Sequence, residues 1–336
     1  MTKTMQAFVA KNKRATPQLT DIAVPKIKPN ELLVKVAAAS INPVDQKFAT
    51  VGLLSPGTIQ YPVILGNDMA GEVVAVGSDV NDFKVGDQVY ARTDHDTAGA
   101  FAEYIAINAD FVAPIPANLS LIEAASLPLV GLTAYQVLYD QLRLQSGQKL
   151  FIEGGSGGVG TVTIQIAKAM GVEVATTTSA KNMALVQELG ATTVLDYHKQ
   201  DYTQTIRNYD AFFDTRNQTD FAKADQILKP GGKVVSISGM PDPDFADDRQ
   251  LGGFKKLMFK LLSAKAVKAA KQHQVSYHFY LMKESGTQLR ELTRLVEAGK
   301  VKPIIDRTYP LAQIQSAFEY SNAGHTVGKV VIEMPN

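Results

Sequence analysis

The spacing of hydrophobic and polar residues changes near position 128. Between residues 5 and 115, short β-branched segments such as 32–36, 72–76 and 88–90 are separated at short intervals by Pro, Gly, Asn and Asp. This pattern is typical of a small antiparallel barrel or sandwich. We therefore expect the first part of the chain to be mostly β.

Beyond position 128 the pattern alternates between helix and strand. A helical stretch to about residue 142 is followed by a strand at 149–153, a glycine-rich segment, a long helical pattern and a strand at 173–178. Strand, loop, helix and strand in this order form a βαβ unit. Further strands are predicted at 193–195, 211–214, 233–238 and 275–281. The sequence therefore predicts an α/β domain with a doubly wound parallel sheet.

The last segment, 302–336, returns to short strands at 303–306 and 329–333. We expect it to rejoin the first domain. The predicted division is one domain of residues 1–124 with 302–336, and a cofactor-binding domain of residues 125–301.

A dinucleotide fingerprint, G-x-G-x-x-G, lies between the strand at 149–153 and the helix after it. It consists of Gly155, Ser156, Gly157, Gly158, Val159 and Gly160. Glycines let the backbone turn tightly and approach a pyrophosphate, whose charge then faces the free N–H groups at the helix start. The alternative is a glycine-rich turn without a ligand, but the strand before and the helix after favour the nucleotide site.

The end of the second strand of this unit indicates which nicotinamide cofactor is preferred. NAD-binding versions carry an Asp or Glu about 20 residues after the fingerprint, whereas residues 174–179 contain no carboxylate and Lys181 follows. Hydroxyls and an ammonium attract a 2′-phosphate, which a carboxylate would repel. The sequence predicts NADPH, although Lys181 alone is equally compatible with a solvated surface lysine. An Asp at Thr177 is then expected to shift the preference toward NADH.

Composition and charge exclude several other classes. Lys plus Arg is 34 and Asp plus Glu is 33, which gives a net charge of +1 and makes nucleic-acid binding through a basic surface unfavourable. The absence of cysteine excludes disulfides, thiolate metal sites and a cysteine nucleophile. The first residues lack the apolar run of a signal peptide. We expect a soluble, cytoplasmic protein.

Several motifs resemble those of the medium-chain dehydrogenase/reductase superfamily, in particular its zinc-independent quinone oxidoreductases of the zeta-crystallin type and its alkenal reductases. They lie at residues 39–47, 65–73, 86–89, 99–104, 127–135 and 154–160. The resemblance covers nearly the whole chain. It implies a GroES-like β-barrel-type catalytic domain and a Rossmann domain that binds the cofactor.

The resemblance also implies that no metal is used. Zinc-dependent members have a cysteine where this chain has Asn42 and a histidine where it has Asn67, and their four-cysteine lobe cannot form here. Zinc polarises an alcohol or carbonyl oxygen, so its loss argues against alcohol dehydrogenation. The expected reaction is hydride donation to an acceptor that is already electrophilic, either a quinone or an α,β-unsaturated carbonyl.

Individual site residues follow from the same resemblance. The residues implied to bind the cofactor are Lys47, Thr133, the loop 155–160, Ser179, Lys181, Tyr197, Gly239 and Lys329. Asn42, Lys47 and Tyr61 are expected to line the acceptor pocket and to stabilise the developing oxyanion. Each has a structural alternative: Asn42 as a loop residue, Tyr197 as a half-buried aromatic side chain and Lys329 as an edge-strand lysine.

Three points stay open at this stage. The segment Asn-Pro-Val-Asp-Gln-Lys at 42–47 fits the alkenal reductases better than the quinone reductases, which have a tyrosine near Lys47, so the two substrate classes remain alternatives. The family includes lens proteins and nucleic-acid binders, so a cofactor-fold protein that binds nucleic acid is a non-enzymatic alternative. The family's usual state implies a homodimer.

The segment 255–271 has six lysines and no acidic residue. Met258, Leu262, Ala266 and Ala269 fall at helical spacing and predict one apolar stripe. Packing of this stripe in the core with a solvated lysine face is one interpretation. Weak contact of the basic helix with an anionic membrane is the other.

Overall fold

The structure of the protein, a computed structural model, describes residues 3–47, 60–94, 98–216 and 220–335, except for the side chains of residues 46 and 47. Within these ranges the strands are β1 (Thr4–Ala10), β2 (Gln18–Ala23), β3 (Glu31–Ile41), β4 (Val63–Ile64), β5 (Asp68–Val76), β6 (Gln88–Arg92), β7 (Tyr104–Asn108), β8 (Val112–Pro114), β9 (Lys149–Ile152), β10 (Glu173–Thr178), β11 (Thr193–Asp196), β12 (Tyr209–Asp214), β13 (Leu228–Ser236), β14 (Ser276–Phe279), β15 (Ile305–Pro310) and β16 (Lys329–Glu333). The helices are α1 (Pro43–Lys47), α2 (Leu121–Ala125), α3 (Pro128–Tyr135), α4 (Gly158–Ala169), α5 (Met183–Leu189), α6 (Phe221–Ile227), α7 (Pro243–Asp248), α8 (Gly253–Gln272), α9 (Gly286–Glu297) and α10 (Ile314–Asn322). Gln136–Leu142 continues α3 as a π-helix.

The chain folds into two compact units. One consists of Met1–Leu132 together with Lys283–Asn336, and the other is Thr133–Met282. We call the first the catalytic unit, after the role that the resemblance implies for it, and the second the Rossmann unit. Among the described residues, none of the helices has the length and apolar character needed to cross a bilayer.

The catalytic unit is built on a largely antiparallel sheet. Its strands follow the order β15-β16-β3-β5-β6-β8, β7 also pairs with β3, and a smaller sheet has the order β2-β1-β4. Near the C-terminus, β16 pairs with β3 in the register Val331 opposite Ser40. The Phe318 ring packs against Phe8 and Phe101, with ring centres 5.8 Å and 5.7 Å apart. The first and last segments of the chain therefore share one hydrophobic core.

The Rossmann unit contains six parallel strands in the order β11-β10-β9-β12-β13-β14. The order reverses at β9, which is where doubly wound sheets bind nucleotides. The central strands are buried on both faces, and Phe151 on β9 packs against Phe212 on β12 with ring centres 5.0 Å apart. The predicted fold class, a β-rich domain and a doubly wound parallel sheet, is confirmed.

The predicted apolar stripe of the basic helix is wrong in its position. Helix α8 packs against α6, α7 and β14 and buries Phe259, Ser263 and Ala270. Met258, Ala266 and Ala269, which belong to the predicted stripe, are only half-buried, and Leu262 is 53% exposed. The buried positions therefore lie one residue away from the predicted stripe. One of them is Ser263, whose hydroxyl donates a hydrogen bond to the Phe259 carbonyl oxygen. Hydrophobicity alone does not predict that a serine is buried.

His278 links β14 to α7 through two carboxylates. Its Nδ1 lies 3.1 Å from Oδ2 of Asp242, and its Nε2 lies 3.5 Å from Oδ2 of Asp248. Asp242 also caps α7 by accepting a hydrogen bond from the Phe245 N–H. Burial acts to lower the pKa of His278, but the hydrogen bond and charge of Asp242, together with the charges of Asp248 and Asp244, raise it above the usual value.

The stability that His278 contributes should therefore depend on pH. Because its pKa is raised above the ordinary 6.5, the folded protein binds the proton more tightly than the unfolded chain does. The contribution is complete below the unfolded-state pKa and is lost as pH rises through the folded-state pKa. Urea unfolding from about pH 5.5 to about pH 9 should show a difference between wild type and His278→Gln that is largest at low pH. The exposed His325→Gln variant is the control, and a difference for His278→Gln that stays constant over this range would contradict the assignment.

Candidate functional site

The glycine-rich loop lies between β9 and α4, as the fingerprint predicts. A Cβ on Gly155 would lie 2.3 Å from Oγ1 of Thr176, and one on Gly160 would lie 2.4 Å from the Gly154 carbonyl oxygen. Such distances leave no room for a side chain, so α4 can start close to the sheet only with glycine at these positions. Among the described residues, no side chain caps α4 at Gly157. The first N–H groups of this 12-residue helix can therefore bind a pyrophosphate.

Hydroxyl groups line the carboxyl end of β10, next to this loop. Ser156 Oγ accepts hydrogen bonds from Thr178 Oγ1 at 2.9 Å and from Asn182 Nδ2 at 3.3 Å. Ser179 Oγ accepts from the same amide at 3.3 Å, and the Lys181 side chain is exposed in the turn that follows. Residues 174–179, which form this strand end, contain no carboxylate, whereas NAD-binding proteins hold the ribose with an Asp or Glu here.

An aromatic and a cationic side chain lie beyond the neighbouring strands. Tyr197 follows β11, and its exposed ring packs on His198 with ring centres 4.2 Å apart. The guanidinium carbon of Arg216, which follows β12, lies 5.6 Å from the centre of the Tyr197 ring. Tyr197 is 47% exposed, so its burial does not decide between the half-buried alternative and a cofactor contact. Sequence reasoning missed Arg216, because a single arginine in a loop matches no motif.

A buried acid, Glu153, directly follows β9 and precedes the glycine-rich loop. Burial raises its pKa to about 7, the Asp214 carboxylate adds to this effect, and Arg216 opposes it. The Glu153 carboxyl group is therefore largely neutral below pH 7. This reduces the repulsion that a full negative charge would exert on the phosphates of a dinucleotide at this loop.

The other predicted cofactor residues occupy different environments. Thr133 is buried in α3. Gly239 follows β13, and a Cβ on it would lie 2.6 Å from the Tyr277 hydroxyl oxygen. Lys47 is the last residue of α1, but its side chain lies outside the described part of the structure.

Six polar side chains form a buried cluster in the catalytic unit. Each is at most 5% exposed, and they are Ser40, Asn42, Asp45, Asn67, Asp68 and Lys329. The resemblance placed Asn42 at the acceptor pocket and Lys329 at the cofactor, but it marked neither Asp45 nor Asp68 as a site residue.

Asp68 lies at the centre of this buried cluster. Its Oδ2 accepts hydrogen bonds from Ser40 Oγ and Asn42 Nδ2, each at 2.8 Å, and lies 3.3 Å from Lys329 Nζ. Its Oδ1 accepts from the Leu129 N–H at 2.7 Å. Lys329 also donates to Asn42 Oδ1 and to the Ile41 carbonyl oxygen. The edge-strand interpretation of Lys329 is wrong, because β16 lies between β15 and β3 and the ammonium is buried.

Asp45 forms the second centre of the buried cluster. Its Oδ2 accepts a hydrogen bond from the Asn42 N–H at 2.6 Å, and its Oδ1 accepts from Asn67 Nδ2. Burial raises the pKa of Asp45 to about 7 despite these donors. Burial lowers the pKa of Lys329, because it disfavours the charged ammonium. The Asp68 and Asp45 carboxylates oppose this effect.

The donor set of this cluster does not fit zinc. Amides replace thiolate and imidazole at Asn42 and Asn67, and the Lys329 ammonium is hydrogen-bonded to Asn42, where it would repel a metal cation. Within the ranges that the structure describes, no group of three or more His, Cys, Asp or Glu side chains could hold a metal ion. A charged hydrogen-bonded network lies at the positions where zinc-dependent relatives have ligands.

Two of the predicted acceptor-binding residues, Asn42 and Tyr61, have described side chains. The Asn42 amide donates to Asp68 and, at 3.3 Å, to the Ser40 carbonyl oxygen, so both of its hydrogens are engaged. Tyr61 is half-buried and packs against the core of the catalytic unit.

Comparison with known proteins places this fold and site in a class. Residues 189–332 match the family model described as zinc-binding dehydrogenase, and residues 28–117 match that of the alcohol dehydrogenase GroES-like domain. The chain is 35% identical over 324 residues to the 2-methylene-furan-3-one reductase of Solanum lycopersicum, covering 93% of this chain and 74% of the relative. It is 33% identical over 323 residues to the chloroplastic NADPH-dependent alkenal/one oxidoreductase of Arabidopsis thaliana, with the same two coverages. The quinone oxidoreductase structure from Coxiella burnetii is 30% identical, with a TM-score of 0.84 and coverage of 99% of this chain and 100% of that chain.

The Rossmann sheet, the glycine-rich loop and these relatives define an NAD(P)H-dependent oxidoreductase. The chain belongs to the medium-chain dehydrogenase/reductase superfamily, in its branch of quinone oxidoreductases and alkenal/one oxidoreductases. The resemblance derived from the motifs is thereby confirmed.

Proposed function

We propose that this enzyme transfers hydride from NADPH to a quinone. The observation that carries the cofactor assignment is the carboxyl end of β10, which presents Ser179 and Lys181 and no carboxylate. Arg216, near Tyr197, adds a second cation beyond the neighbouring strands. Two cations and a hydroxyl favour a 2′-phosphate over a free ribose hydroxyl.

The glycine-rich loop and Thr133 would hold NADPH, which supplies a hydride at its nicotinamide C4. The accepting quinone gains two electrons, and its oxygen becomes negatively charged before solvent protonates it. We assign the stabilisation of this oxygen to Lys47 and Tyr61, which can donate hydrogen bonds as the charge develops. Asn42 has a positioning role, because its amide hydrogens are committed to Asp68 and Ser40.

An α,β-unsaturated carbonyl is the second candidate acceptor. Two relatives are named for such substrates, a 2-methylene-furan-3-one reductase and an alkenal/one oxidoreductase. Hydride would then add to the β-carbon, the carbonyl oxygen would carry the enolate charge, and solvent would protonate the α-carbon. The same hydrogen-bond donors serve both reactions, since in each the charge develops on a carbonyl oxygen.

A homodimer is part of the proposal. The family's usual state supports it, and β14 ends the Rossmann sheet, where a second copy can pair. Sedimentation velocity of the wild-type protein tests this, and a monomer at assay concentration would overturn it.

Initial rates of NADPH oxidation test the reaction. p-Benzoquinone and a medium-chain 2-alkenal are assayed separately, with NADH in parallel. Faster turnover of the quinone with NADPH supports the main proposal, and faster turnover of the alkenal supports the second candidate. NADPH binding without turnover of either acceptor would overturn both substrate assignments, and failure to bind NADPH would overturn the cofactor assignment.

A further inference from the structure

Helix α8 exposes large apolar side chains on the face opposite to the one that packs in the Rossmann unit. Phe254 is 81% exposed, Leu261 is 70% exposed and Leu257 is 56% exposed. Positions 254, 257 and 261 follow the spacing of one helix face. We call these three residues the α8 ridge. Contiguous apolar surface of this kind marks a contact with another molecule or a membrane.

The charge of α8 is positive along its whole length. Its six lysines are Lys255, Lys256, Lys260, Lys265, Lys268 and Lys271, and Gly253–Gln272 contains no acidic residue. Lys256 pairs with Asp247 at 2.6 Å. Lys265 and Lys268 are exposed and follow Leu261 by one and two turns, so they continue the line of the α8 ridge toward the helix C-terminus.

We propose that the α8 ridge docks on the surface of an anionic lipid bilayer, with α8 lying in the plane of the interface. Apolar side chains would enter the boundary between headgroups and acyl chains, and the lysines would contact anionic headgroups. Charge complementarity selects this partner, because the ridge is continued by lysines on a helix without acidic residues. The inference does not depend on which acceptor the enzyme reduces.

A second copy of the chain fits this surface less well. In a two-fold symmetric contact through α8, residue i of one copy meets residue j of the other. Because α8 carries six lysines and no acidic residue, such a contact brings two positively charged helices together without opposite charges on either helix, which is repulsive. The three partly exposed side chains of the ridge offer much less apolar surface than the roughly 800 Å² that each partner buries in a typical stable interface.

A tryptophan reporter gives a local test, because the chain contains no tryptophan. Leu261→Trp places the only indole on the α8 ridge, and Val85→Trp places it at a 62% exposed valine of the catalytic unit as the matched control. With phosphatidylcholine vesicles containing about 30 mol% phosphatidylserine, the emission of Leu261→Trp should shift to shorter wavelength and be quenched by brominated lipid. Emission of Val85→Trp should not change. An unchanged Leu261→Trp spectrum, or equal shifts at both positions, would overturn the proposal.

Co-sedimentation tests the charge requirement. Wild-type protein should sediment with the anionic vesicles at low salt and not with pure phosphatidylcholine. Replacing Lys265 and Lys268 with alanine should lower the partition coefficient about fivefold for each lysine removed. The control, with alanine at the exposed Lys11 and Lys13, should bind like wild type. No sedimentation of the wild type, or equal sedimentation with both kinds of vesicle, would overturn the proposal.

Oligomeric state separates a lipid surface from a second copy. Leu257→Ser/Leu261→Ser should lose vesicle binding, keep the wild-type sedimentation coefficient and reduce a water-soluble acceptor at the wild-type rate. If this variant instead changes from dimer to monomer, the ridge is an interface between copies and the membrane assignment fails.

Discussion

Replacing Lys329 with methionine is expected to lower the free energy of unfolding by about 3–5 kcal/mol, because it removes one partner of a buried ion pair. The ammonium lies 3.3 Å from Asp68 Oδ2 and also donates to Asn42 Oδ1 and the Ile41 carbonyl oxygen. Without it, the buried Asp68 carboxylate loses the counter-charge of Lys329, and Asn42 Oδ1 loses the ammonium as a donor. Methionine nearly conserves the volume, so the effect measures charge and hydrogen bonding rather than a cavity.

Urea unfolding followed by far-ultraviolet circular dichroism measures this loss. The exposed Lys300→Met variant is the matched control and should change stability by less than about 0.5 kcal/mol. Adding Asp68→Asn to Lys329→Met should restore part of the stability, since the uncompensated charge is then gone. Equal stability of Lys329→Met and Lys300→Met would show that the buried pair does not stabilise the fold.

The second large effect is expected on cofactor preference. Ser179→Asp should reduce the ratio of kcat/KM for NADPH to kcat/KM for NADH by roughly a hundredfold. Two unit charges about 5 Å apart interact with about 3 kcal/mol at an effective dielectric constant of 20, which corresponds to a factor of this size. A carboxylate there would also accept hydrogen bonds from the ribose hydroxyls of NADH.

Ser179→Asn is the matched control, because asparagine has the size of aspartate without the charge, and this variant should keep the preference for NADPH.

The structure favours position 179 over position 177 for this substitution. Thr177 is buried, and its Oγ1 accepts a hydrogen bond from the Gly154 N–H, so an aspartate there would disturb the loop. Ser179 is half-buried, and its Oγ accepts a hydrogen bond from Asn182 Nδ2 at 3.3 Å. Initial rates with both cofactors measure the ratio, and an unchanged ratio in Ser179→Asp would contradict a 2′-phosphate site at this strand end.

The sequence predicted the Rossmann sheet because its signals are local. The fingerprint at 155–160 and the apolar runs at 149–153 and 173–178 each specify one element, and the observed strands β9 and β10 agree within one residue. The loop glycines could be predicted for the same reason. They permit a close approach of α4 to the sheet, and the strand, turn and helix concerned are adjacent in sequence.

The buried cluster could not be predicted from local sequence signals. Asp68 and Lys329 are 261 residues apart, and their pairing depends on the antiparallel register of β16 against β3 and of β3 against β5. Periodicity gives no information on such register. The prediction for α8 was wrong for a related reason. Its packing against α6, α7 and β14 determines which face is buried, and the hydrophobic spacing of the helix itself does not.

The separation of Asp68 from Lys329 also sets an order of events during synthesis. At about 5–20 residues per second, the ribosome adds the lysine roughly 10 to 50 s after the aspartate. Thr133–Met282, which is continuous in sequence, is complete before β16 exists. The nucleotide-binding unit can therefore fold while Asp68 still lacks its counter-charge, and the nascent catalytic unit has to keep that carboxylate hydrated until the last strand arrives.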